Sequence, residues 1–190
     1  KSRGSSTLAA AATNYASSVL GMFSGSGSSS SSQDKNNDTS SKAKIGEGIW
    51  VSLINDDVWH HAAVVYDPSA IKKLTIFLDG VLENSGNFHA SLNTTNTFNV
   101  TLGMSNFIAN RHPNCSMDEV RIWNTARTQL EIKDNMHHDL SGSEANLVLY
   151  YSKESTTIGA NGVIDLASTN HGTMTNMDVS DIVTSHAAIR

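Results

Sequence analysis

From Gly46 onward the sequence is a succession of short strand-type runs closed by turn residues, and that punctuation constrains the fold more than any other feature. "GIWVSLI" (Gly48 to Ile54) stops at "NDD", and "WHHAAVVY" (Trp59 to Tyr66) stops at "DPS". "LTIFLDGVLEN" (Leu74 to Asn84) is two runs about Asp79-Gly80, a pair suited to the positive backbone angles of a two-residue hairpin. In "FNVTLG", Phe98, Val100 and Leu102 share one face by the two-residue period of a strand. "DEVRIW" and "LVLYYS" (Leu147 to Ser152) add two more runs. Short strands at this spacing predict an all-β fold, a two-sheet antiparallel sandwich.

One segment departs from the pattern. Thr128 and Glu131 form an S/T-x-x-E capping box, so a short helix is expected from Thr128 to about Met136. Leu130 and Ile132 are the apolar groups it would lay on the sandwich. The expected core residues are Trp59, Ile76, Leu78, Val120, Ile122 and Trp123, with one of His60 and His61 facing inward beside Trp59.

The start of the chain is different in kind. Residues 1 to about 23 are small and weakly patterned, and Ser24 to Lys42 is low-complexity, "SGSGSSSSSQDKNNDTSSK". Such Ser, Gly and Asn content cannot build a core and reads as a flexible linker or loop, with a mobile binding loop as the alternative. The expected division is therefore a Ser-rich segment over 1–45 and a sandwich domain over 46–190, with 1–23 able to add a strand. Tyr15, Val19, Leu20, Met22 and Phe23 give material for one strand, around Ser18 to Phe23, and not two. A sheet short of a strand exposes a row of backbone donors and acceptors. The sequence thus predicts either an abbreviated sandwich or one completed by another chain through strand addition.

Composition removes several function classes. The chain has 190 residues, 16% charged and 38% hydrophobic, which is enough for one packed core. No apolar run reaches the ~18 residues of a membrane span. The net charge is −5 and the 13 basic residues are scattered, so nucleic acid is not an expected partner. Cys115 is the only cysteine, so no intrachain disulfide forms.

Four stretches in order, "VWHHAAVVYD", "LTIFLDGVLEN", "VTLGMSN" and "MDEVRIWNTARTQLEI", followed by "LVLYYS" and "GVIDLASTNHGTMTN", resemble the laminin-G-like, pentraxin-like domains of the concanavalin A-like lectin/glucanase group. The resemblance covers roughly Ile49 to Met177. It implies a jelly-roll arrangement of the two sheets, an extracellular or surface-exposed location, and glycan or protein binding in place of catalysis. The family's opening "F-DG" and "FTIEAWV" phrases have no counterpart upstream of Ile49.

The chemistry-bearing residues point the same way. Pentraxin-like calcium sites use acids after an "LG" phrase, whereas Leu102-Gly103 is followed by "MSNFIANRHPNCS", without Asp or Glu. That double-calcium site does not carry over, and a weaker one on Asn106, Asn110 and carbonyls is what calcium would have. The glucanase branch places carboxylates at alternate strand positions, and no such run exists here. Asp118 and Glu119 are adjacent, so a regular strand points them to opposite faces; the resemblance makes them structural, with Asp118 tying down a neighbouring loop. Neither His60-His61 nor His137-His138 can chelate one ion alone. No catalytic residue and no certain cofactor is assigned.

The segment Ser105 to Cys115 carries Asn106, Asn110, Arg111 and His112, whose donors suit hydroxyl or carboxylate groups, and these are the candidate ligand-binding residues. Sequons stand at Asn37, Asn93, Asn99 and Asn114, close to the about four expected by chance from this Asn, Ser and Thr content. They are glycosylation candidates for a secreted eukaryotic protein. The expected function is a non-catalytic extracellular binding or adhesion module recognising glycan or protein. The alternative is a structural or assembly component of a surface fibre, filament or virion that packs against copies of itself, with glycoside hydrolysis the least supported.

Overall fold

The computed structural model describes residues 5–8, 17–25, 42–44, 50–52, 58–67, 73–87, 99–103, 115–152, 157–158, 162–177 and 181–182. Two antiparallel sheets dominate. The larger has six strands: β2 (Ser17–Gly25), β5 (His60–Asp67), β6 (Lys73–Leu78), β7 (Val81–Asn87), β9 (Cys115–Trp123) and β10 (Leu147–Tyr151). Their spatial order is β10-β9-β2-β5-β6-β7. The second sheet orders β11 (Thr157–Ile158), β12 (Gly162–Val163), β13 (Gly172–Thr175), β1 (Ser5–Leu8) and β8 (Val100–Leu102) in that sequence. A separate ribbon pairs β3 (Lys42–Lys44) with β4 (Trp50–Ser52), and one helix, α1 (Gln129–Asn135), completes the described elements. The described residues form an all-β jelly-roll sandwich with one short helix.

The beginning of the chain corrects the sequence expectation. Two strands form there, not one. β2 lies inside the six-stranded sheet, with Val19 opposite Val64 on one side and Ile122 on the other. β1 lies between β13 and β8. The chain's own residues therefore fill the positions for which an abbreviated or externally completed sandwich was expected. Ser and Gly, five of the nine residues of β2, have weak strand propensity, but flanking strands on both sides supply the ladder bonds and override it.

Local signals behave as expected. Asp79 and Gly80 both have positive φ, +49° and +72°, the pattern of a type I′ turn between β6 and β7. The Asp79 N–H donates to His61 O at 2.8 Å, closing the turn onto β5. At the helix start Glu131 N donates to Thr128 Oγ1 and Thr128 N donates to Glu131 Oε2, so both halves of the capping box are made.

The core lies on both faces of the large sheet. Between the sheets Val120, Leu149 and Tyr151 are buried, with Val100, Leu102, Ile122 and Val163 packed against them. On the other face Ala63, Val65, Phe77 and Trp123 gather beneath Ile132 of α1. Of the expected core, Ile76, Val120 and Trp123 are fully buried, while Trp59, Leu78 and Ile122 are only partly so. Leu130 is a correction: it is 68% exposed, whereas Ile132 is sealed. At 100° per residue, positions two apart on a helix diverge by about 200°, so both cannot lie on one surface.

This contrast is measurable by chemical denaturation. Trp123→Ala is expected to cost about 3–5 kcal/mol, as for other buried aromatics. Leu130→Ala is expected to stay within about 0.5 kcal/mol, as surface changes do. Equal effects of the two would contradict the described packing of α1.

Candidate functional site

The densest chemistry among the described residues lies where α1 sits on the large sheet, and it begins with an irregularity in β9. Pairing between β2 and β9 slips between Leu20 and Met22, and Glu119 adopts φ +52°. Such a bulge adds an unpaired residue and re-aims side chains. Asp118 Oδ1 accepts from Glu119 N at 2.8 Å, so its bond braces the bulge itself. Four consecutive residues, Asp118 to Arg121, are buried. The regular alternation expected for the acidic pair is interrupted here.

Arg121 is only 2% exposed, and its guanidinium is held on several sides. Nη2 donates to Glu119 Oε2 at 2.6 Å and to His138 O at 2.5 Å, and Nη1 donates to Asn135 O at 2.8 Å. Asn135 is the last residue of α1, where carbonyls lack helical partners and favour a cation. Tyr150 OH donates to the same Glu119 oxygen at 2.8 Å and accepts from Leu140 N at 3.3 Å. Burial, and then the bond to Glu119, push the Tyr150 phenol above its ordinary range, so it stays a donor. Above this layer Arg127 lies over the Trp123 ring at 4.3 Å and pairs with Glu131 at 3.3 Å.

Two further acids work in the same way. Asp79 Oδ1 accepts from His61 N at 2.9 Å and Oδ2 meets His60 Nδ1 at 2.8 Å, fixing the β6–β7 turn to β5. Asp165 Oδ1 accepts from Tyr150 N and Ala167 N, both at 2.9 Å, while Oδ2 accepts from Ser168 Oγ at 2.7 Å and Asn170 N at 3.2 Å. Tyr151 OH donates to Asn170 O at 2.9 Å. Asp165 thus binds a loop to β10, the kind of role expected of Asp118. Its signal was in the text: an Asp followed by Ser, Thr and Asn is typical of side chains that bond nearby backbone.

Glu119, Arg121 and Asp165 are all buried and bonded to protein groups. Of the paired histidines, His61 is the inward-facing one. His138 is exposed, with Nδ1 donating to Asp134 O at 2.6 Å, while His137 is partly buried. Among the described residues no three His, Cys, Asp or Glu side chains converge as metal ligands. The candidate binding residues Asn106, Asn110, Arg111 and His112 lie outside the described residues, as do Asn37, Asn93 and Asn114. Asn99 is described, and it is exposed immediately before β8.

The ion pair makes a sharp mutational test. Glu119→Leu leaves a buried cation without its carboxylate and is expected to cost about 3–5 kcal/mol. Adding Arg121→Met should cost clearly less than the sum of the two single changes, since the pair is coupled. Additive effects in denaturant titrations would show that the two side chains do not depend on each other.

Comparison with known proteins places these observations. A laminin-G-type family model, described as the concanavalin A-like lectin/glucanases superfamily, matches residues 3–133. No curated protein matches the chain. Among solved structures, a candidate carbohydrate-binding protein from Bacteroides ovatus is similar with TM-score 0.64 and 16% identity. That match covers 90% of this chain and 58% of the other, so the chain spans less than two thirds of that protein. The binding domain of Paraclostridial Mosquitocidal Protein 1 matches with TM-score 0.45 and 13% identity, over 64% of this chain and 36% of the other. A heptameric SAP-like pentraxin from Limulus polyphemus matches with TM-score 0.47 and 9% identity, over 69% of this chain and 81% of the other.

Proposed function

Since the chain belongs to the concanavalin A-like lectin/glucanases superfamily, we propose that it is a non-catalytic module that binds glycan or protein outside the cell or on a cell or virion surface. The observation that carries the reading is the employment of its acids. Retaining hydrolysis needs two carboxyl groups about 5–5.5 Å apart facing one sugar bond. Here Glu119 is engaged by Arg121 and Tyr150, and Asp165 by backbone amides and Ser168. Both are buried, so neither faces a substrate. The fold likeness to the Bacteroides ovatus candidate carbohydrate-binding protein supports a sugar as the first ligand to test.

Recognition is assigned to the segment Ser105 to Cys115, through Asn106, Asn110, Arg111 and His112. Its amide, guanidinium and imidazole donors match hydroxyl and carboxylate groups, and it contains no acid, so calcium has no carboxylate ligand there. A structural or assembly role is the second reading. It is favoured by β7, which ends the six-stranded sheet and exposes Val81 by 62% and Leu82 by 51%.

A glycan array probed with the purified chain, with and without calcium, tests the first reading. Binding is expected, and N110A/R111A together should weaken it at least tenfold while the melting temperature stays within a degree or two. Unaltered binding by that variant would remove the segment from the proposal. No glycan binding, together with concentration-dependent association in light scattering, would favour assembly.

A further inference from the structure

His61 is 2% exposed, and neither of its ring nitrogens has a hydrogen-bond partner among the described residues. It stands on the face of the large sheet that carries Ala63 and Val65 two and four residues on, the face α1 covers. The charged and titratable groups around it come from three elements: Arg121 from β9, His137 from the turn after α1, and Asp79 from the β6–β7 turn. The fourth neighbour, β2, sets Met22 opposite His61 and contains no ionisable residue.

Of these groups only Asp79 favours an imidazolium. Arg121 is a cation already matched to Glu119, and His137 Nδ1 is itself buried without a partner. Asp79 is committed through both oxygens, to His60 and to the His61 backbone. The helix and the hairpin tip meet beside it. Gln129 Nε2 donates to Gly80 O at 3.0 Å, and a methyl group on Gly80 would lie 3.2 Å from atoms of Lys133 and Met136.

We propose that His61 is an acid-sensitive latch for α1: a proton on its ring sets a second cation beside Arg121 in an enclosed space and loosens the helix and its following turn from the sheet. Burial first, and then Arg121 with a smaller part from His137, lower the His61 pKa to about 4, with Asp79 opposing. The folded value lies below the ordinary 6.5, so the closed form disfavours the proton. Stability from this source is complete above about pH 6.5 and declines as pH falls toward about 4. Release would uncover Ala63, Val65, Phe77 and Trp123 and break the Arg121 bonds to Asn135 O and His138 O. The latch is independent of what the module binds.

The test is amide exchange of α1 in the full chain, corrected for intrinsic pH dependence, with Ile132 and Met136 as reporters because their N–H groups close helical turns. Between pH 7.5 and 5 the opening constant should rise about 25-fold in the wild type, from the two pKa values above, and stay flat in H61L and H61Q. The same rise in both variants, or none in the wild type, overturns the latch. Should both variants fail to fold, the ring titration of His61 in the wild type decides. A midpoint near the ordinary value, or a depressed one without loss of α1 protection, overturns it; a depressed midpoint with that loss supports it.

Discussion

The side of the sandwich that carries α1 is organised by one buried cation. A guanidinium removed from water is costly unless its charge and its donors are met, and Arg121 has its charge and both Nη groups met by parts of the chain that would not otherwise converge, while its buried Nε has no partner among the described residues. Glu119, two residues away at the β9 bulge, supplies the charge. Asn135 O and His138 O supply acceptors, so the chain must return over the sheet after β9 and end a helix there. Trp123, the capping box and the seven-residue helix follow from that demand. A helix this short has little intrinsic stability; it is held by its cap at one end, Ile132 in the middle and Arg121 at the other.

Acids serve the same purpose elsewhere. Asp79 and Asp165 each join a chain reversal to a neighbouring strand, Glu119 joins β9 to β10 through the Tyr150 hydroxyl, and each accepts more than one bond. A carboxylate is an economical acceptor for loop amides, which would otherwise lose free energy of about 1–3 kcal/mol each when buried unpaired.

The parts legible in the sequence were those whose cause is local. Asp79-Gly80 and Thr128…Glu131 each carry their geometry within four residues, and both formed as read. β1 and β2 were not legible as a pair, because their Ser and Gly residues owe their strand state to partners distant in sequence, β13 and β8 for one and β5 and β9 for the other. Leu130 was misplaced by ignoring helical angle. The bulge at Glu119 had no signal at all, since a positive φ at a glutamate is a response to tertiary packing and not a preference of the residue. The doublet His60-His61 announced one inward histidine, but which one depends on register. The candidate binding residues, from Asn106 to His112, lie outside the described residues, so their reading still rests on their donors alone.

The large sheet is thus covered on its two faces by two different kinds of force. Toward the second sheet, Val120, Leu149 and Tyr151 meet Val100, Leu102 and Val163, an apolar contact that responds to temperature and little to acid or salt. Toward α1, apolar residues share the interface with Arg121, Glu119 and His61, and burial holds the His61 pKa well below its ordinary value. One face can therefore loosen while the other holds. The six strands of the large sheet remain paired to each other in either case, because β2 is bonded on both sides within the sheet and not through the helix. That separation confines any response to acid to the helix and the hairpin tip, and leaves the sandwich itself as a fixed frame.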